Sequence, residues 1–92
     1  MTCFVYVIVS LANGEFYIGQ TDHLLARYRQ HANGFVHSTR HLIPHIVAHV
    51  EELPDRAAAM RREKQLKQHA GREWIRSVIL PVIRQFYPAA QW

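Results

Sequence analysis

The sequence predicts an α+β domain in which three helices pack on a three-stranded antiparallel sheet. Residues 3–9 form an apolar run rich in β-branched and aromatic side chains, which is typical of a strand covered on both faces. The pair Asn13-Gly14 marks a hairpin, and apolar residues recur at helical spacing after residue 55. Ninety-two residues leave room for one hydrophobic core, so we expect a single domain over residues 1–92.

The first two strands are predicted to form a β-hairpin, with residues 15–20 as the second strand. Asn13 and Gly14 both tolerate the positive φ of a type I′ turn. A loop of two or four residues would place Tyr6 and Tyr17 on the same face of the sheet, and four residues would bring them closer together. A loop of three or five residues would place them on opposite faces.

A first helix is predicted from Asp22 to about Ala32. Thr21 or Asp22 can cap its start, and Asn33-Gly34 can end it. Its apolar residues recur at helical spacing: Leu24, Leu25, Tyr28 and Ala32.

A third strand is predicted over residues 43–50, where the two sides of the strand differ. One side carries Ile46, Ala48 and Val50, and the other carries His45, Val47 and His49. Because Pro44 has no N–H for the ladder, this strand is expected at a sheet edge or to begin at the proline.

Two helical segments are predicted after Pro54-Asp55. The first spans about 56–69 and is interrupted at Gly71, and Pro81 is expected to kink or split the second. The second segment carries an apolar stripe: Trp74, Ile75, Val78, Ile79, Val82, Ile83 and Phe86.

Composition excludes several classes of protein. The formal net charge is +4, and seven histidines can add positive charge as the pH falls, so a polyanionic partner is favoured. The single cysteine, Cys3, permits neither an internal disulfide nor a cysteine metal cage. The apolar start lacks a basic region and a cleavage site, and no stretch is long enough to span a membrane. We therefore expect a cytoplasmic protein without membrane contacts.

One carboxylate falls on the small apolar face of the helix predicted over 56–69. Ala59, Glu63, Leu66 and Ala70 follow helical spacing. Burying an unpaired carboxylate is unfavourable unless a cation offsets it. Glu63 is therefore a candidate metal ligand, although an ordinary salt bridge or a side chain that reaches solvent accounts for the same pattern.

Four further side chains are candidates for the same site. Arg27 and His31 lie four residues apart on the flank of the first helix, where they could grip a phosphate, stabilise charge and move a proton. Exposed arginines and histidines on helices are, however, usually only solvated. Tyr6 and Tyr17 would join this pair from the hairpin, although packing in the core is the commoner role of strand tyrosines.

Histidines recur at every fourth position in the middle of the chain: His37, His41, His45 and His49. A zinc site is not expected there, because Pro44 and the alternating strand prevent one helix from carrying all four. The polar loop over 37–41 is expected to meet phosphate oxygens instead. The candidate nucleic-acid contacts are Ser38, Thr39, Arg40, Arg62 and Lys67.

Taken as a set, these residues resemble the GIY-YIG nuclease superfamily. Phe4-Val5-Tyr6 stands at the first tripeptide of the family, and Tyr17-Ile18-Gly19 is its second tripeptide unaltered. Arg27 with His31 matches the helix pair that follows, and Glu63 matches the metal-binding glutamate.

The resemblance extends from about Cys3 to Trp74, and the short form is similar to stand-alone bacterial members and to the N-terminal catalytic module of the excision-repair nuclease subunit. Two positions depart from the pattern. Gln20 stands where many relatives carry a basic residue, and the chain has no asparagine after Asn33 to match one in the last conserved segment.

The resemblance implies that the chain hydrolyses DNA phosphodiester bonds with one divalent cation, Mg²⁺ or Mn²⁺. Glu63 would hold the ion, Arg27 would stabilise the transition state, and His31 would share or relay a proton. Tyr17 is slightly favoured over Tyr6 as the base that activates water.

Single-stranded or branched DNA is favoured over plain duplex as the partner, in repair or recombination. Tight binding to long duplex is expected to need a homodimer or a protein partner, because the positive charge is modest. The alternative function is a catalytically weak nucleic-acid-binding module of the same fold. A basic interaction domain without a nucleic-acid role would require all five matching positions to be coincidental.

Overall fold

The three predicted strands form one antiparallel sheet in the computed structural model, with β1 in the middle. The strands are β1 (Cys3–Ser10), β2 (Phe16–Thr21) and β3 (His45–Leu53), in the order β2-β1-β3. The structure describes residues 2–88, 90 and 92. This sheet and the helices around it confirm the predicted α+β class.

The helices cover both faces of the sheet. They are α1 (Leu24–Ala32), α2 (Arg56–Lys67), α3 (His69–Trp74) and α4 (Leu80–Phe86), with a 3₁₀ turn at Arg40–Leu42 and a π-helical turn at Ile75–Ile79. Because α3, the π turn and α4 follow one another without a loop, they form one irregular third helix. Within the described part of the chain, no helix has the length and apolar character needed to cross a membrane.

The hairpin has a four-residue loop over residues 11–14. Its closing contact is a hydrogen bond of 2.8 Å from the Ser10 N–H to the Glu15 carbonyl. The type I′ prediction is wrong, because Gly14 (φ 78°) has a positive φ and Asn13 does not. The Asn13 side chain accepts a hydrogen bond from the Glu15 N–H instead, at 2.9 Å, which is a common use of asparagine in turns.

A β-bulge in β3 changes the predicted alternation of that strand. Ile8 pairs with Val47, but the preceding residue of β1, Val7, pairs with His49. Ala48 is therefore the extra residue, and His49 lies on the opposite face of the sheet from Val47 rather than on the same face. β3 is an edge strand, which confirms one of the two predicted alternatives, and it begins at His45, one residue after Pro44.

The apolar core lies between the sheet and the helices α2, α3 and α4. It contains Cys3, Val5, Val7, Val9, Ile18, Ala59, Leu66, Ile75, Ile79 and Ile83. The stripe of the third helix is narrower than predicted, because Val78, Val82 and Phe86 are exposed. The π turn ends two residues before Pro81, which lies in the first turn of α4, so the helix changes its hydrogen-bonding pattern near the proline and is not split there.

The break between α2 and α3 lies at Gln68 (ψ 165°), not at Gly71. Gly71 belongs to α3, where a Cβ would lie 2.5 Å from the Gln65 carbonyl oxygen and from Leu66 Cα. The glycine is therefore required by the close approach of the two helices rather than by a chain break. Because the break precedes Ala70, the apolar stripe of α2 ends at Leu66.

The first helix differs most from its prediction. It begins at Leu24 after His23, whose side chain makes no capping hydrogen bond, and the Thr21 hydroxyl binds the His23 N–H instead. Leu25 is 63% exposed, whereas His31 is the one buried residue of the helix. α1 therefore faces the sheet with a polar side chain, and the reason lies in the contacts of that histidine.

Candidate active site

The hairpin places both tyrosines on the face of the sheet that α1 covers. Tyr6 pairs with Gly19, and Ile8 pairs with Tyr17. Since side chains two residues apart on a strand share a face, the two phenols lie on the same side, with ring centroids 6.4 Å apart. This is the four-residue register that the sequence left as one of its alternatives.

Gly19 makes room for the Tyr6 phenol. A Cβ at this position would lie 2.6 Å from the Tyr6 hydroxyl oxygen and 2.9 Å from Cε2 of Tyr17. No side chain fits within such distances, so the Tyr6 ring can lie over the β2 backbone only because residue 19 has none.

His31 connects the hairpin to α1 and to the loop that follows. Its Nε2 lies 2.8 Å from the Tyr6 hydroxyl, and its Nδ1 lies 2.7 Å from the Thr39 hydroxyl. Thr39 donates to the Val36 carbonyl at 3.4 Å, so its oxygen is assigned as the acceptor of an Nδ1–H. In this tautomer Nε2 accepts the hydrogen bond that Tyr6 donates.

Burial sets the charge of this pair. Desolvation, reinforced by the positive charge of Arg27 and by His45, lowers the pKa of His31 to about 4. Desolvation also raises the pKa of Tyr6, an effect that the Arg27 guanidinium opposes. At neutral pH the phenol therefore keeps its proton, and the imidazole beside it is uncharged.

Arg27 and Glu63 act on the same phenol from α1 and α2. The positive charge of Arg27 lowers the pKa of Tyr6, and the negative charge of Glu63 raises it. The Glu63 side chain is 19% exposed and accepts a hydrogen bond of 2.7 Å from Lys67 Nζ. The carboxylate is therefore half-buried and electrostatically coupled to the hairpin, on a helix that also buries Ala59 and Leu66.

The end of β2 near the site receives a guanidinium from α2. Arg56 Nη1 donates to the Gln20 side-chain carbonyl at 3.1 Å, and its Nη2 lies 3.7 Å from the Asp22 carboxylate. Gln20 is the residue that departs from the resemblance noted in the sequence, which implies a basic residue at this position. Here the neighbouring charge is contributed by the first residue of α2 instead.

The predicted nucleic-acid contacts divide into two groups. Ser38 and Arg40 are exposed, whereas Thr39 is fully buried, so its predicted surface contact is corrected to a structural role beside His31. Arg62 donates to both carboxylate oxygens of Glu51, at 2.7 and 2.9 Å, and Lys67 is bonded to Glu63. Arg62 and Lys67 thus hold acidic partners of their own.

One contributor to this site was misassigned from the sequence, and another was missed. Thr39 was assigned to the wrong partner, and His45, which packs against His31, was placed only on a strand face. Neither contact has a signal in the spacing of residues, because each depends on how α1 packs on the sheet. Gly19 did carry a signal, since a glycine inside a strand often marks a close approach.

Comparison with known proteins identifies the family. The family model described as the GIY-YIG catalytic domain matches residues 2–76. The solution NMR structure of a UPF0213 protein from Bacillus halodurans is similar, with 26% sequence identity and a TM-score of 0.54 over 92% of this chain and 94% of that one. No curated protein is similar enough to count as a relative. Because the matched segment spans most of the chain and contains the tyrosines, Arg27, His31 and Glu63, the chain belongs to the GIY-YIG catalytic domain family, a family of nucleases.

Proposed function

We propose that this protein is an endonuclease that hydrolyses DNA phosphodiester bonds with Mg²⁺ or Mn²⁺. The observation that carries the proposal is the 2.8 Å contact between the Tyr6 hydroxyl and a buried, uncharged His31. Arg27 and Glu63 lie close enough to alter the pKa of that phenol. A proton donor, a proton acceptor, a guanidinium and a carboxylate are the groups that phosphodiester hydrolysis needs.

Glu63 fits the role of metal ligand. Mg²⁺ prefers carboxylate oxygens, keeps several waters and is commonly held by one or two carboxylates. The Glu63 carboxylate is half-buried and its one partner among the described residues is Lys67, on Oε1, so Oε2 is available. A divalent cation bound there would polarise the scissile phosphate and offset the charge that develops on it.

Tyr6 is favoured over Tyr17 as the base that takes a proton from the attacking water, which reverses the preference drawn from the sequence. The Tyr6 hydroxyl donates to His31 Nε2, so its own proton has an acceptor as it receives another. In the free protein burial raises the pKa of Tyr6 and lowers that of His31, and both shifts oppose transfer of the proton from the phenol to the imidazole. The pair is therefore uncharged until other charges act on it.

Substrate phosphate changes this balance. A phosphodiester beside Arg27 brings a negative charge, which favours the imidazolium form of His31 and compensates the guanidinium. Arg27 would then stabilise the additional charge of the transition state. The base is thus active in the presence of its substrate, and not in the free protein.

Single-stranded or branched DNA is the proposed substrate, in repair or recombination. A net charge of +4 supports few phosphate contacts, and Arg62 and Lys67 are engaged with carboxylates. A homodimer or protein partner would supply the further contacts that long duplex requires.

The test is cleavage of end-labelled single-stranded, branched and duplex DNA with Mg²⁺ or Mn²⁺, with and without EDTA. We expect EDTA to stop cleavage and Glu63→Gln to reduce it by about 10²-fold or more. Glu73→Gln is the matched control, because Glu73 lies on α3 in an exposed pair with Arg76. Cleavage that persists undiminished in Glu63→Gln would overturn the metal assignment.

The alternative is a nucleic-acid-binding module with little activity. The neutral Gln20 and the Lys67 ion pair on Glu63 favour it, because both reduce what the site offers to a phosphate and a metal. If the protein binds DNA in a mobility-shift assay but yields no cleavage products at any metal concentration, this binding function is identified instead.

A further inference from the structure

His45 is a buried histidine that the mechanism above does not use. It is the first residue of β3, it is 8% exposed, and it pairs with Ser10. Neither ring nitrogen has a hydrogen-bond partner among the residues that the structure describes. Because a buried polar group without a partner destabilises a fold, packing alone does not account for an imidazole at this position.

Two rings of α1 enclose His45. The Tyr28 centroid lies 6.1 Å from that of His45, with 66° between the ring planes, and the His31 centroid lies 6.4 Å away at 82°. Both nitrogens of His31 are already bonded, to Tyr6 and Thr39. His45 is thus the neighbour that β3 contributes to the His31 ring.

We propose that His45 is a positioning residue for His31, whose ring it holds in place and keeps uncharged, so that His31 can accept the Tyr6 proton. Its catalytic consequence rests on the proposed nuclease function. Its effect on His31 does not.

Charge is the physical basis of this role. Four titratable or charged groups face His31: Tyr6 from β1, Tyr17 from β2, Arg27 from α1 and His45 from β3. Arg27 is a cation, and His45 becomes one when it binds a proton. Two imidazolium ions 6.4 Å apart in a buried site repel each other by an amount equivalent to about one to two pH units at an effective dielectric constant near 20. The His31–His45 pair therefore resists holding two protons.

The first experiment is an NMR titration of the histidine side chains, without DNA or metal. We expect His31 to titrate about one pH unit higher in His45→Gln than in the wild-type protein. His49→Gln is the matched control, because His49 lies on the same strand but on the other face, paired with Glu51. An unchanged His31 titration in folded His45→Gln would overturn the proposal.

A second measurement needs no variant. In the wild-type protein, the His31 ring resonances are expected to show an inflection at the pH at which His45 titrates, because coupled groups respond to each other. A single His31 transition without that inflection contradicts the proposal even if His45→Gln does not fold.

Activity then separates this proposal from the nuclease function. We expect the acid limb of the kcat/KM profile to move to higher pH in His45→Gln and to stay in place in His49→Gln. If the NMR shift occurs but the wild-type protein cleaves no DNA at any pH, the nuclease function fails and the role of His45 stands. If the protein cleaves DNA, but His45→Gln changes neither the His31 NMR titration nor the acid limb of the kcat/KM profile, His45 is only a packing residue.

Discussion

The two faces of the sheet use burial for different purposes. Beneath α2, α3 and α4 the buried side chains are almost all apolar, and their removal from water stabilises the fold. Beneath α1 the buried side chains include four polar groups: Tyr6, His31, Thr39 and His45. There, burial shifts the pKa of an imidazole and of a phenol, which water would leave near their ordinary values.

One strand serves both faces. Along β1, Val5 and Val7 contribute to the apolar core, while Tyr6 between them points to the α1 face. The central position of β1 buries both sets of side chains. A substitution on one face is therefore expected to change mainly stability, and a substitution on the other mainly activity.

The largest effect is expected from Tyr6→Phe on the α1 face. The ring and its packing remain, but the hydroxyl that donates to His31 is lost. Cleavage in single-turnover assays is expected to fall by about 10²- to 10⁴-fold, while the urea midpoint changes little. Tyr17→Phe is the comparison, since its ring lies 6.4 Å away on the same face. A greater loss in Tyr17→Phe would transfer the role of base to Tyr17.

The next effect is a dependence of stability on pH that arises from His31. The unfolded chain binds a proton at this histidine near pH 6.5, but the folded chain binds it only near pH 4, so the unfolded state holds more protons between these values. The uncharged His31 therefore contributes to the free energy of unfolding fully above about pH 6.5. This contribution, on the order of 3 kcal/mol in total, is lost as the pH falls to 4.

Urea denaturation at a series of pH values measures this loss. His31→Gln cannot bind the proton, so its free energy of unfolding is expected to vary less between pH 6.5 and 4 than that of the wild-type protein. His41→Gln is the control, because His41 is exposed and paired with Glu15. Parallel curves for the wild-type protein and His31→Gln would show that this face does not hold its histidine uncharged.

Two glycines provide a direct test of the difference between the faces. In Gly19→Ala the new methyl group meets the Tyr6 phenol, and a displacement of a catalytic group by about 1 Å can cost 10²-fold in activity. In Gly71→Ala the methyl group meets the backbone of α2, and overpacking of this kind typically costs about 1–3 kcal/mol. Gly19→Ala should mainly reduce cleavage per folded molecule, and Gly71→Ala should mainly lower the urea midpoint. Equal changes of both quantities in the two variants would refute the difference between the faces.

The sequence predicted the architecture well where one pattern decides an element. The apolar run of β1, the hairpin pair and the helical spacing after residue 55 each correspond to an observed element. The bulge at Ala48 was not predictable, because a single extra residue leaves the alternation of β3 looking regular. The break at Gln68 was predicted at Gly71 instead, because close helix packing and a chain break both favour glycine and the sequence does not distinguish them.

The sequence was enough to name side chains that the structure brings together, but not the contacts that they make; their catalytic roles stay a proposal. The parity of the hairpin loop and the family motifs were sufficient to name Tyr6, Tyr17 and His31, which the structure brings together. The helix that carries His31 was nevertheless predicted from the spacing of its apolar residues, whereas the residue that it buries is the histidine. A prediction from amphipathic spacing takes the apolar side chains as the buried ones. It therefore gives the wrong buried residue for a helix whose buried side chain is polar.

The smallest effect is expected at the edge of the site, where Lys67 Nζ is bonded to Glu63 Oε1 at 2.7 Å. A partly exposed i, i+4 pair contributes about 0.2–1 kcal/mol, so Lys67→Met should lower the Mg²⁺ concentration for half-maximal cleavage by about 1.4- to fivefold, because the cation no longer competes with the ammonium group. Lys64→Met, which removes a lysine from the same helix, is the control. If Lys67 contacts the nucleic acid instead, Lys67→Met will weaken DNA binding at every metal concentration and leave the Mg²⁺ requirement unchanged.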